Sequence, residues 1–168
     1  MDPFVQLQSI VRGFLCRRAC SVDLDVSFSH HITDFAFDNI PKEIVIEIFK
    51  DGRPFSHFIE SWLATNYPVI HIHGCKKYDF RDLHYPWITY DEKTFTKQGC
   101  KFMPSNMIGQ GRVFDKDVFN SKSKKLIYCI VSNIHFPTIK VRFCRGTDLI
   151  KQYPNGTIPY KDHNKFFA

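Results

Sequence analysis

Apolar residues recur along this 168-residue chain with two different periods, and each change of period marks a new element. In residues 3–19, Phe4, Leu7, Ile10, Val11, Phe14 and Leu15 follow helical spacing with arginines on the other face, which predicts an amphipathic helix. The period then drops to two. Val22, Leu24, Val26 and Phe28 alternate with polar neighbours, as do Ile44, Ile46 and Ile48 against Glu43 and Glu47, so 22–28 and 43–49 are predicted strands, the second ending in a turn at Lys50-Asp51-Gly52. Helical spacing returns at Phe55, Phe58, Ile59, Trp62 and Leu63, with Ser56 as the expected cap. A short strand is expected over 69–73, and a hairpin follows in which the strand of Asp79 turns through 83–86 into the strand of Asp91, which Gly99 ends.

Farther on, 115–125 reads as a short helix closing in Lys122, Lys124 and Lys125. The near-continuous apolar run 126–134 is the mark of a strand buried on both faces, and 138–144 alternates Ile139, Val141 and Phe143 with Lys140 and Arg142. Thr147 is the expected cap of a last short helix reaching Tyr153. Mixed strands and helices in this order predict an α/β fold, a single-domain sandwich with a central mixed sheet of about five strands flanked by helices. Residues 1–20 form its N-terminal amphipathic helix and 21–168 its domain.

Composition supports a packed core: 43% of residues are hydrophobic, 15% aromatic and 17 are phenylalanine, which argues against disorder. The net charge of +6 is uneven. Residues 1–84 carry nine basic and eleven acidic side chains, whereas 85–168 carry fourteen and six, so a basic half adjoins an acidic cluster. Cations of that kind suit a phosphate backbone or a solvated surface. There is no run of about 18 apolar residues, so no membrane span is expected. Cys16, Cys20, Cys75, Cys100, Cys129 and Cys144 have no framework spacing and no signal peptide precedes them, which predicts thiols in a reducing, intracellular compartment.

The chemistry concentrates in 77–112. Side chains two apart on a strand share a face, so Asp91 and Lys93 can present a carboxylate and an ammonium together while Glu92 points the other way, toward water or a cation. The hairpin brings Asp79 toward Asp91, with Asp82 in reserve, and two carboxylates without a soft ligand favour magnesium. Asp79, an intervening turn and Asp91-Glu92-Lys93 resemble the catalytic signature of the PD-(D/E)XK, or restriction endonuclease-like, nucleases over roughly residues 55–150. Tyr78 stands where the family name has proline, and charged Glu92 where an apolar residue is usual. The resemblance implies a restriction endonuclease-like fold and a magnesium-dependent endonuclease hydrolysing DNA phosphodiester bonds, such as a type II restriction enzyme. Asp79 and Asp91 would then be metal ligands, Lys93 would orient or help deprotonate water, and Glu60 is the helix glutamate to be tested near the metal, the alternative being a solvated helix residue. Cutting both strands of a duplex symmetrically would need a homodimer.

Lys97, Lys101, Ser105, Asn106, Arg112, Lys124 and Lys140 are the candidate nucleic-acid contacts. Ser105, Asn106 and Arg112 belong to the loop MPSNMIGQGR, which is rich in donors but lacks Walker spacing, and which can equally be a connection only. His71, His73 and Cys75 alternate on one strand and diverge, which disfavours zinc. Leu7-Gln8, Arg12-Gly13 and Arg17 resemble an IQ motif, which implies a calmodulin-like partner for 3–19, packing of that helix on the domain or on a second chain being the alternative. Two other functions therefore stay open: a catalytically inactive nucleic-acid-binding module of the same fold, and an interaction protein recruited through its first helix.

Overall fold

The computed structural model describes residues 21–33, 35, 39–74, 77–107 and 111–168, so the 3–19 helix, its IQ-like pattern and Cys16, Cys20 and Cys75 lie outside the described residues. The centre of the fold is a six-stranded sheet built from β1 (Ser27–His31), β2 (Val69–His71), β3 (Phe80–Asp82), β4 (Thr89–Phe95), β6 (Ile127–His135) and β7 (Thr138–Arg145), in the order β1-β7-β6-β4-β3-β2. A small pair, β5 (Cys100–Lys101) and β8 (Thr157–Ile158), lies apart from it. Neighbours in the main sheet run antiparallel except β4 and β6, which run parallel. A parallel pair needs a crossover, and the chain between β4 and β6 supplies one that contains an α-helix. The fold is thus mixed α/β with helices flanking the sheet, with six strands in place of about five.

The helices are α1 (Lys42–Ile48), α2 (Gly52–Asn66), α3 (Lys116–Ser123), α4 (Gly146–Gln152) and α5 (His163–Phe166). The first overturns the strand expected over 43–49. Its buried side chains are Val45 and Phe49, four apart, while Ile44 and Ile48 stay about half exposed, so a helical stripe prevails over the isoleucine alternation. α2 carries the core positions Phe55, Ile59 and Leu63, each contributing roughly 1.5–3 kcal/mol by its burial. Its cap is Asp51, which accepts from the Arg53 N–H, and Ser56 instead donates to Glu60 within the helix. α4 has no side-chain cap: Arg145 occupies that position, and Thr147 lies inside the helix. It is anchored by close approach, because a Cβ on Gly146 would lie 1.9 Å from the Ser123 carbonyl oxygen.

Each face of the sheet has its own core. One, under α1 and α2, gathers Phe55, Ile59, Phe80, Tyr90, Cys129, Val131 and Val141; the other, under α3, α4 and α5, gathers Phe95, Cys100, Phe119, Tyr128, Ile130 and Phe166. β6 feeds both faces in alternation, which explains its unbroken apolar run. Cys100, Cys129 and Cys144 are buried free thiols. Among the described residues, no helix is long and apolar enough to cross a membrane.

Candidate active site

The β3–β4 hairpin sets the geometry. Phe80 pairs with Tyr90 and Arg81 with Thr89; Asp79 immediately precedes β3, its N–H donates to the Tyr90 carbonyl at 2.9 Å, and its carboxyl lies within hydrogen-bonding reach of Asp91. Two carboxyl groups that close, on the face of β4 that carries Asp91, are within reach of one shared cation. Lys93 is two residues beyond Asp91 on that face, and its Nζ lies 2.7 Å from Asp91 Oδ2 and donates to the Glu92 carbonyl at 2.7 Å. Asp79 Oδ2 in turn accepts the Glu92 N–H at 2.7 Å. The backbone of Glu92 therefore fixes both the acid before it in space and the lysine after it in sequence.

Electrostatics follow from partial burial. Asp91, with its side chain 18% exposed, has a raised pKa, first from loss of water and then from the Asp79 carboxylate within hydrogen-bonding reach, against the lowering effect of Lys93. Burial by itself lowers Lys93, but Asp91, Asp79 and Glu92 outweigh it and hold the ammonium protonated far above its ordinary range. In this arrangement Lys93 is a cation and donor rather than a base.

Glu92 does face away from Asp91, but into the buried α2 side of the sheet rather than toward solvent. It is 5% exposed, accepts the Thr94 hydroxyl at 3.1 Å, and burial pushes its pKa up to about 8, opposed by Lys93 and Thr94 and reinforced by Asp79 and Glu60. Glu60 comes from α2 on this same face, where its Oε1 accepts from Ser56 and its Oε2 lies 3.1 Å from His71 Nε2. The structure thus brings Asp79, Asp91 and Lys93 together and sets Glu60 beside Glu92 and His71, across the sheet from Asp91. His71 ends β2, so His73 lies beyond the strand expected for it, its ring 4.2 Å from that of His71.

Asp82 is no reserve ligand. Its carboxylate accepts from the N–H and hydroxyl of Ser21, the N–H groups of His84 and Tyr85, and the Tyr90 hydroxyl, five bonds that lock the hairpin turn. Burial alone would raise its pKa, yet these donors lower it below the usual carboxylate range. The candidate phosphate contacts fall in separate places: exposed Lys97 and Lys101 past the C-terminal end of β4, exposed Lys124 at the C-terminus of α3, and half-buried Lys140 on β7, two strands from β4. Asn106 and Arg112 are exposed on the crossover, and the Ser105 side chain lies outside the described ones.

One neighbour escaped sequence reasoning. Arg81 is exposed on β3, opposite Thr89 and two residues along the chain from Asp79; only the pairing register, not any motif, points to it. A shallow groove of about 430 Å³ between β1 and the end of α2, touching His30, Trp62 and Asn66, adjoins the opposite edge of the sheet from β2 and β3.

Among the described residues, no group of three or more His, Cys, Asp or Glu side chains is set to hold a metal ion. Two adjacent carboxylates do suit a hard cation that keeps several waters, and a cation there would relieve the like charge and burial that raise Asp91. No family model matches the chain, and no curated protein or solved structure matches it either.

Proposed function

We propose that the protein is a magnesium-dependent endonuclease that hydrolyses DNA phosphodiester bonds, in the manner of the PD-(D/E)XK nucleases it resembles. The observation that carries this proposal is the approach of the Asp79 and Asp91 carboxyl groups at the β3–β4 hairpin, with Lys93 ion-paired to Asp91 on the same strand face. Asp79 and Asp91 would hold the metal, which when bound supplies an activated water and charge neutralisation at the phosphate. Lys93, kept protonated by the surrounding carboxylates, donates to a phosphoryl oxygen or to the attacking water and balances charge that builds up in the transition state. Glu92 holds these groups through its backbone, and its carboxyl is housed within the α2 side of the sheet.

A charged Glu92 within the core would favour the inactive-module alternative. That support weakens, because a carboxyl with its pKa near 8 is largely neutral at pH 7 and needs no counter-ion. The narrower restriction-enzyme proposal further requires two copies acting on one duplex. Incubation of plasmid DNA with and without magnesium tests the activity: cleavage is expected with magnesium, and Asp91→Asn and Lys93→Ala are each expected to abolish it while retaining most DNA affinity. A protein that cuts no nucleic acid with magnesium or manganese, or variants that cut like the parent, would refute the proposal.

A further inference from the structure

We infer that α5 is an acid-released latch: protonation of His163 lets α5, with Phe166 and Phe167, leave the sheet and uncover Phe95 on β4. The inference does not draw on the nuclease proposal, since none of its residues belongs to the acidic site.

Phe95, Ser132 and Lys140 stand side by side in register on β4, β6 and β7, and His163 packs onto this row. The His163 ring lies 5.2 Å from that of Phe95 and 5.1 Å from that of Phe167, and Phe166 and Phe167 also pack on Phe95. His163 is 6% and Ser132 2% exposed, and Ser132 Oγ lies 2.9 Å from His163 Nε2. On the far side of the ring, Nδ1 lies 3.1 Å from Asn164 Oδ1, which is an acceptor. Nδ1 therefore carries the proton and Nε2 accepts the Ser132 hydroxyl, an arrangement that satisfies the imidazole only while it is neutral. A second proton turns Nε2 into a donor. The Ser132 hydroxyl must then swing its hydrogen away from the ring, and the Ile134 N–H, another donor, already faces its oxygen at 3.5 Å.

The charges around His163 add to this cost. Burial first lowers its pKa from the ordinary 6.5; the Asn164 bond raises it, and Lys140 and His135, whose ring stands 6.2 Å away, lower it further. Arg142 of β7 adds another cation on α5, donating to the Phe166 carbonyl with its guanidinium 5.2 Å over the Phe166 ring. Lys161 and Lys165 are exposed, and the Asp162 charge acts on Tyr153, whose pKa burial and this carboxylate raise. Among the described residues, no carboxylate is ion-paired with His163. In the released form the imidazolium is hydrated and ionises at its ordinary value. Above about 6.5 both forms are neutral and the latch holds at full strength; below it the released form takes up a proton that the closed form resists, so release grows by up to about tenfold per pH unit until His163 titrates in the closed form too.

Hydrogen exchange of the full chain at about pH 7.5, 6.5 and 5.5, corrected for the intrinsic pH dependence of exchange, measures the latch, with β6 and β7 as internal reference. The Phe167 N–H, which donates to the His163 carbonyl at 3.0 Å, is the reporting amide. Its protection should fall by about tenfold between about pH 6.5 and 5.5, while β6 and β7 keep theirs, and should return when the pH is raised. In His163→Gln, whose amide reaches toward Ser132 without ionising, protection of α5 should stay level across the series. Level protection of α5 in the parent, a loss shared equally by β6 and β7, or an acid loss in His163→Gln as large as the parent's overturns the inference. Should His163→Gln fail to fold, Lys140→Gln takes its place: removing a cation that faces His163 brings its closed-form pKa nearer the ordinary value, so the acid loss should shrink, and a loss equal to the parent's overturns the inference.

Discussion

Replacing Glu92 by Gln removes an ionisation while keeping the side-chain shape and the oxygen that accepts the Thr94 hydroxyl. The interval between the ordinary Glu value of 4.5 and about 8 in the fold sets the size of the effect. At 1.36 kcal/mol per pH unit it corresponds to about 5 kcal/mol. The sign follows from proton counts. Between those two pH values the folded chain retains a proton that the unfolded chain has released, so stability declines as pH rises through this range, and above about 8 the buried carboxylate is charged in the fold at its full cost. Below about 4.5 both states are protonated and the group contributes no pH dependence. Urea unfolding followed by circular dichroism at about pH 5, 7 and 9 measures it. Glu92→Gln should be more stable than the parent at pH 9 by about 3–5 kcal/mol, with the advantage shrinking toward pH 5, and its magnesium-dependent cleavage should persist. Parallel stability curves for the two proteins would show that Glu92 ionises freely in the fold, and would refute the burial argument. Cleavage lost as completely as in Asp91→Asn would mean that Glu92, not Asp91, faces the phosphate.

Asp82→Asn should lower stability by about 3 kcal/mol, because an amide cannot accept all five donors that converge there; a loss below about 1 kcal/mol by thermal melting would count against Asp82 as the lock of the hairpin. DNA affinity should fall steeply, by about tenfold or more, between about 50 and 200 mM salt if several lysines and arginines contact phosphates, and equal affinity across that range by fluorescence anisotropy would contradict a phosphate-binding surface.

The sequence by itself determined the elements whose burial pattern is local. The two-sided run ending in β6, the alternation of β7, the core helix α2 and the Asp-x-Lys strand all follow from side-chain period, which a single segment carries. Asp91 and Lys93 on one face and Glu92 on the other follow from the same period. It failed at 43–49, where isoleucines two apart mimicked a strand; an apolar partner that selects the helical stripe, Phe136 against Phe49, comes from a distant segment. Caps failed for a related reason, since Ser56 and Thr147 have capping chemistry while the chain geometry at Asp51 and Arg145 decides where each helix starts. Tertiary structure alone brought Ser21 onto Asp82, so that this acid serves the turn and not a metal, and put Glu60 across the sheet from Asp91. It also placed Arg81 beside the acids and closed Glu92 off from water. Each of these depends on strand register, or on which helix covers which face, and those are relations between segments far apart in the chain that no local spacing encodes.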